Sequence, residues 1–129
     1  MTTTVTTIYD KTWEALAWVQ CSGAEVKQTV FDASDLSGAT TGSLLDVVEL
    51  EWNSAAVATS IELFADAGTD DSLIKVYGTG KIENSTFKLV NPNSSGATGD
   101  ILVSTSAACN FLIRVVKSAG YGDGIQAYN

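Results

Sequence analysis

Histidine is absent from this chain, and basic side chains are scarce: seven Lys and Arg stand against fifteen Asp and Glu, a formal net charge of −8. Without histidine there is no Ser-His-Asp or Cys-His nucleophile. With no C-x-x-C either, nothing in the sequence resembles a zinc site. The cations are scattered from Lys11 to Lys117, and only Arg114 and Lys117 share a short stretch. They form no stripe that could neutralise phosphates, so no nucleic-acid partner is expected. Cysteine is limited to Cys21 and Cys109, 88 positions apart, a spacing that leaves open whether they pair or stay buried as free thiols. No apolar run approaches the roughly 20 residues of a membrane helix. The start, MTTTVTTIYDK, lacks the basic and apolar regions of a secretory signal. The expectation is therefore a chain made in the cytoplasm, with no membrane partner and no cofactor.

Proline is almost missing as well. Pro92 stands alone among 129 residues, so turns fall to Gly, Asn, Asp and Ser. Hydrophobic residues make up 45%, too many for a disordered chain, while 15 Thr, 13 Ser and 11 Gly mark a loop-rich β protein. One domain fits this length, and a chain of this size buries roughly two thirds of its unfolded surface without disulfides or metals.

Alternation of apolar and polar residues carries the fold. Val48, Leu50 and Trp52 share one face against Glu49 and Glu51. Ile61, Leu63 and Ala65 oppose Glu62, Phe64 and Asp66, and Phe111, Ile113 and Val115 oppose Leu112, Arg114 and Val116. Such segments read as half-buried antiparallel strands. Further strands are expected at 3–9, 14–21, 26–31, 72–77, 86–90 and 99–105. Residues 11–19 also fit a helical period roughly, but their ending in Val-Gln-Cys-Ser-Gly favours a strand. The predicted fold is all-β: an antiparallel two-sheet β-sandwich, jelly-roll-like, with about 8–9 strands. Residues 1–118 form the single domain, residues 33–43 a long polar loop, and residues 119–129 a glycine-rich arm.

Candidate chemistry is thin. Asp66, Asp70 and Asp71 gather carboxylates at a turn, but without the spacing of a calcium loop, so a solvated hairpin turn is expected. Glu49 and Glu51 sit two apart on one strand, whereas a glycosidase pair must flank its substrate from opposite sides. Gly78-Thr-Gly80 lacks the lysine and helix of a phosphate loop and reads as a strand bend. Trp13, Trp18 and Trp52 are candidates for a sugar-stacking face, with Trp52 expected in the core and one of the other two exposed. No catalytic residue and no metal ligand is expected. The arm carries Tyr121, Ile125 and Tyr128, aromatic and apolar side chains suited to a partner contact.

From about residue 25 to 117 the order of segments is familiar. Val26-Lys27-Gln28-Thr29-Val30-Phe31-Asp32-Ala33-Ser34-Asp35-Leu36 is followed by the acidic strand to Trp52. Later come Ile61-Glu62-Leu63-Phe64, Leu73-Ile74-Lys75-Val76-Tyr77-Gly78 and, after an Asn/Ser/Gly loop, Thr98-Gly99-Asp100-Ile101-Leu102-Val103-Ser104-Thr105. This resembles the small decoration or cement proteins of tailed phages, the marine and cyanobacterial podovirus type. The resemblance implies a non-enzymatic virion structural protein on the outer capsid surface, clamping neighbouring major capsid protein subunits. It also implies a homo-oligomer, with a trimer favoured. The alternative is a carbohydrate-binding or host-adhesion module of a tail fibre or spike.

Overall fold

The computed structural model describes residues 2–83 and 89–121. Nine strands follow one another: β1 (Thr3–Asp10), β2 (Glu14–Cys21), β3 (Glu25–Phe31), β4 (Ala39–Ser54), β5 (Ser60–Ala65), β6 (Asp71–Tyr77), β7 (Gly80–Glu83), β8 (Ile101–Thr105) and β9 (Cys109–Tyr121). A short 3₁₀ turn, Ala33–Asp35, separates β3 from β4. The strands pair antiparallel into a five-stranded sheet, β1-β2-β9-β4-β7, and a four-stranded sheet, β3-β8-β5-β6. The expected antiparallel β-sandwich is the observed one. With β1 set aside, each sheet draws its strands alternately from the two halves of the chain, the double Greek-key connection of a jelly roll.

Period two decides what each sheet buries. Along β9 the inward residues are Cys109, Phe111, Ile113, Val115 and Lys117, and along β2 they are Ala15, Ala17, Val19 and Cys21. These meet Leu45, Val47, Leu50 and Trp52 of β4, and Ile61, Leu63, Ile101 and Val103 of the opposing sheet, in one core. Burying a Leu, Ile, Val or Phe side chain contributes about 1.5–3 kcal/mol, so these residues supply most of the driving force.

Four details depart from the sequence reading. The register of β4 against β9 shifts between Val47 and Glu49, so Val47 rather than Val48 continues the inward row of Leu50 and Trp52. An extra residue in one strand reverses the facing of everything before it. The polar stretch at 33–43 is only partly loop, because β4 already begins at Ala39. Gly80, expected as a bend, opens β7, which pairs with Glu49 to Trp52. The strand expected at 86–90 lies mostly outside the described residues, although Leu89 bridges Val47.

The fourth departure concerns the arm. β9 runs on to Tyr121, past the expected domain boundary at 118. The Tyr121 ring is buried and its hydroxyl donates to the Ala33 carbonyl at 2.7 Å. That bond pins the 3₁₀ turn to the end of β9, and burial pushes the phenol pKa up. Tyr121 is thus spent inside its own fold and is not free to contact a partner. Ile125 and Tyr128 lie outside the described residues.

A buried lysine closes the same end. Lys117 has no exposed side-chain surface, and its ammonium donates to Asp10 Oδ1 at 2.6 Å, the Lys11 carbonyl at 2.6 Å and the Ser37 carbonyl at 2.7 Å. All three of its protons are used, and the aliphatic stem continues the apolar row of β9.

Candidate functional site

The outer face of the five-stranded sheet holds Glu49, Glu51 and Trp18. A chain of charges crosses it strand by strand. The Tyr9 hydroxyl on β1 donates to Glu14 Oε2 on β2 at 2.9 Å, and Arg114 on β9 donates to that same oxygen at 3.2 Å and to Glu49 Oε1 on β4 at 3.0 Å. Lys81 on β7 then lies 3.6 Å from Glu49 and 3.1 Å from Glu83. Burial works against the Arg114 charge, but the two glutamates outweigh it and hold the guanidinium more firmly protonated than usual. Glu49 is therefore tied into a cross-strand ladder. It is not poised against Glu51 around a substrate.

Next to this ladder is a groove of about 600 Å³ lined by Trp18, Leu112, Glu51, Asn53, Thr79 and Lys81, among others. Register explains the gathering. Trp18 stands opposite Leu112, Leu112 opposite Glu51, and Glu51 opposite Lys81, so four strands contribute one side chain each to a single row. Asn53 and Asn110 form the adjacent row, and the Thr79 hydroxyl donates to Asn53 Oδ1 at 3.0 Å. Of the three tryptophans, Trp52 is buried with its indole N–H on the Tyr77 carbonyl at 3.0 Å, Trp13 is exposed, and Trp18 is half-buried at the groove. The groove offers the half-buried Trp18 and an edge of the buried Trp52, amides and a hydroxyl, and a carboxylate facing an ammonium. It holds no nucleophile with an adjacent base.

Asp66 and Asp70 of the acidic turn are held by contacts within the fold. Asp66 Oδ2 accepts from the Thr98 hydroxyl at 2.8 Å, and Asp70 accepts from the Ala67 N–H at 3.1 Å and pairs with Lys27 at 3.0 Å. The Ala67 amide and then Lys27 lower the Asp70 pKa below its ordinary value. Among the described residues, no group of three or more His, Cys, Asp or Glu side chains is placed to hold a metal ion.

A larger pattern emerges from the loops. Those joining strands at one end of the sandwich, residues 22–24, 55–59, 78–79 and 106–108, contain no charged residue. Val57 there is 89% exposed, and Tyr77 beside it 55%. At the opposite end lie Asp10, Asp32, Asp35, Asp66, Asp70 and Asp100. Among the described residues, then, the loops at one end are uncharged while the other end carries these six aspartates, with Asp10 and Asp70 paired to Lys117 and Lys27. No single segment announces this, because each neutral loop is short and the four come together only when the strands pair.

Compared with protein-family models, with curated proteins and with solved structures, the chain matches none. Its class is accordingly the one the fold defines, an antiparallel jelly-roll sandwich.

Proposed function

We propose that this chain is a non-enzymatic virion structural protein, an outer-capsid decoration protein that sits on the major capsid protein as a homo-oligomer, with a trimer favoured. The observation that supports this most is the charge contrast between the two ends. An end whose four loops carry no charged side chain, and which bears the exposed Val57, suits close contact with a protein shell. The acidic end then points into solvent, where like charge keeps decorated particles apart. Each copy would bury modest area, and many symmetric copies would turn weak contacts into firm attachment.

The test mixes the purified chain with heads assembled from the major capsid protein of a tailed phage and measures co-sedimentation. Wild type should bind saturably. Val57→Glu, whose side chain is solvent-exposed in the free chain, should bind at least about tenfold more weakly with an unchanged melting temperature. No binding by wild type, or equal binding by V57E, would refute the assignment. Deletion of residues 122–129 examines Ile125 and Tyr128 separately, without removing the buried Tyr121.

A second reading, a carbohydrate-binding module of a tail fibre or spike, is favoured by the Trp18 groove alone. A half-buried aromatic ring beside amides and a carboxylate matches the apolar ring face and hydroxyls of a sugar. Quenching or enhancement of tryptophan fluorescence by oligosaccharides, absent in Trp18→Ala, would support it over the capsid reading.

A further inference from the structure

Cys21 ends β2 and Cys109 begins β9, and the antiparallel register sets them directly opposite each other. Both side chains are buried in the core and both are free thiols. Directly opposed residues in an antiparallel pair have Cα atoms about 4.5 or 5.5 Å apart, depending on the rung. Both spacings fall within the range of about 4.4–6.8 Å that a disulfide spans. Each thiol lies in the other's field, which lowers the Cys21 pKa and raises that of Cys109. Thr3 Oγ1 lies 3.9 Å from the Cys21 sulfur. A groove of about 400 Å³ lies against this end of the two strands, lined by Cys21, Cys109, Asn53, Ser54, Ala108 and Asn110.

We propose that Cys21 and Cys109 are a redox-responsive pair that closes to an intramolecular disulfide when the protein meets a small oxidising disulfide such as oxidised glutathione. The Cys21 thiolate attacks one glutathione sulfur, the glutathione S–S bond breaks, and a glutathione thiolate leaves and takes up a proton. Cys109 then loses its proton to solvent and attacks the Cys21 sulfur of the mixed disulfide, expelling the second glutathione. The two cysteines together give up two electrons, and the oxidised glutathione takes them to become two thiols. Cytosolic reductant keeps the pair open, and an oxidising environment outside the cell closes it.

The consequence is mechanical. The bond joins positions 88 apart in sequence at the last rung between β2 and β9, beside the uncharged loops of the sandwich. It stitches the rung where these strands would otherwise begin to fray. This inference does not depend on what the protein binds.

The experiment is to equilibrate the folded, full-length chain in glutathione buffers of increasing oxidised fraction, quench with acid, and measure intact mass and the non-reduced peptide map. The expected result is a monomer lighter by about 2 Da, a Cys21–Cys109 peptide, and a thermal midpoint raised by roughly 8–16 °C over the reduced form. Cys109→Ser should stop at a glutathione adduct on Cys21. Two free thiols at every buffer ratio, a lasting glutathione adduct on the wild type, or a disulfide between two chains would each overturn the proposal.

Discussion

Replacing Lys117 by Met tests how much of this sandwich is held by a single buried charge. Methionine keeps the length and apolar character of the stem but removes the ammonium, leaving Asp10 and the carbonyls of Lys11 and Ser37 without their donor. Removing one partner of a buried ion pair costs about 3–5 kcal/mol, chiefly because the other is left uncompensated. The low end applies here, since Asp10 keeps 24% of its side chain in water and can rehydrate. For 129 residues, an unfolding entropy of about 2.1 cal/mol/K per residue converts 1 kcal/mol to about 4 °C. Lys117→Met should therefore melt about 12 °C below wild type by calorimetry at neutral pH. Adding Asp10→Asn should recover part of that loss, because the uncompensated charge goes while a side-chain oxygen can still accept the Ser37 N–H. A Lys117→Met midpoint within about 3 °C of wild type would refute the reasoning and relegate the contact to a solvated pair. The comparison is Lys81→Met, whose ammonium lies at the surface, and there no measurable shift is expected.

Two further outcomes follow from the same end of the fold. Gly99 has φ of +85°, and a Cβ there would overlap the Ser43 carbonyl oxygen, so Gly99→Ala should cost at least about 2 kcal/mol and lower the midpoint by about 8 °C; an unchanged midpoint would show that the loop relaxes freely. Burial raises the Asp100 carboxyl pKa against the lowering effect of the Ala33 N–H, with Asp32 and Asp66 adding to the rise. A raised folded-state pKa favours the protonated form, so the Asp100 contribution is fully present below the unfolded pKa of about 3.8 and is lost as pH rises through the folded value. Asn still accepts from Ala33, so Asp100→Asn should melt higher than wild type at pH 7, with the gap narrowing toward pH 3. A gap constant with pH in thermal melts would discount the titration.

Much of the fold was legible before any coordinates, and the reason is local. A strand half in water writes its burial into every second residue, so β5 and β9 could be read from alternation with their correct inward faces. What alternation does not carry is an irregularity of count. The register shift at Val47–Glu49 leaves two adjacent buried valines, which read equally well as a regular strand placed one residue off. Lys117 was legible by position, since it continues the odd-numbered row of β9, but a lysine at the end of an apolar run looks like a solvated terminus until three acceptors are seen to surround it. Tyr121 misled for the opposite reason. In sequence it belongs to a glycine-rich tail, while in space it packs over Ala33, 88 residues earlier.

By itself, then, the sequence determined the class of fold, the inward faces of the regular strands and the absence of histidine chemistry, because composition and short-range periodicity are enough for these. Partnership was decided only by the tertiary structure. A period of two says which face a residue takes and never which strand lies beside it. The pairing of β2 with β9, of β9 with β4 and of β4 with β7 is what lines Trp18, Leu112, Glu51 and Lys81 into one row and carries the charge ladder from Tyr9 to Glu83. The same pairing puts Cys21 against Cys109 and brings four neutral loops to one end. These are relations between residues far apart along the chain, settled by the fit of two sheets around a common core.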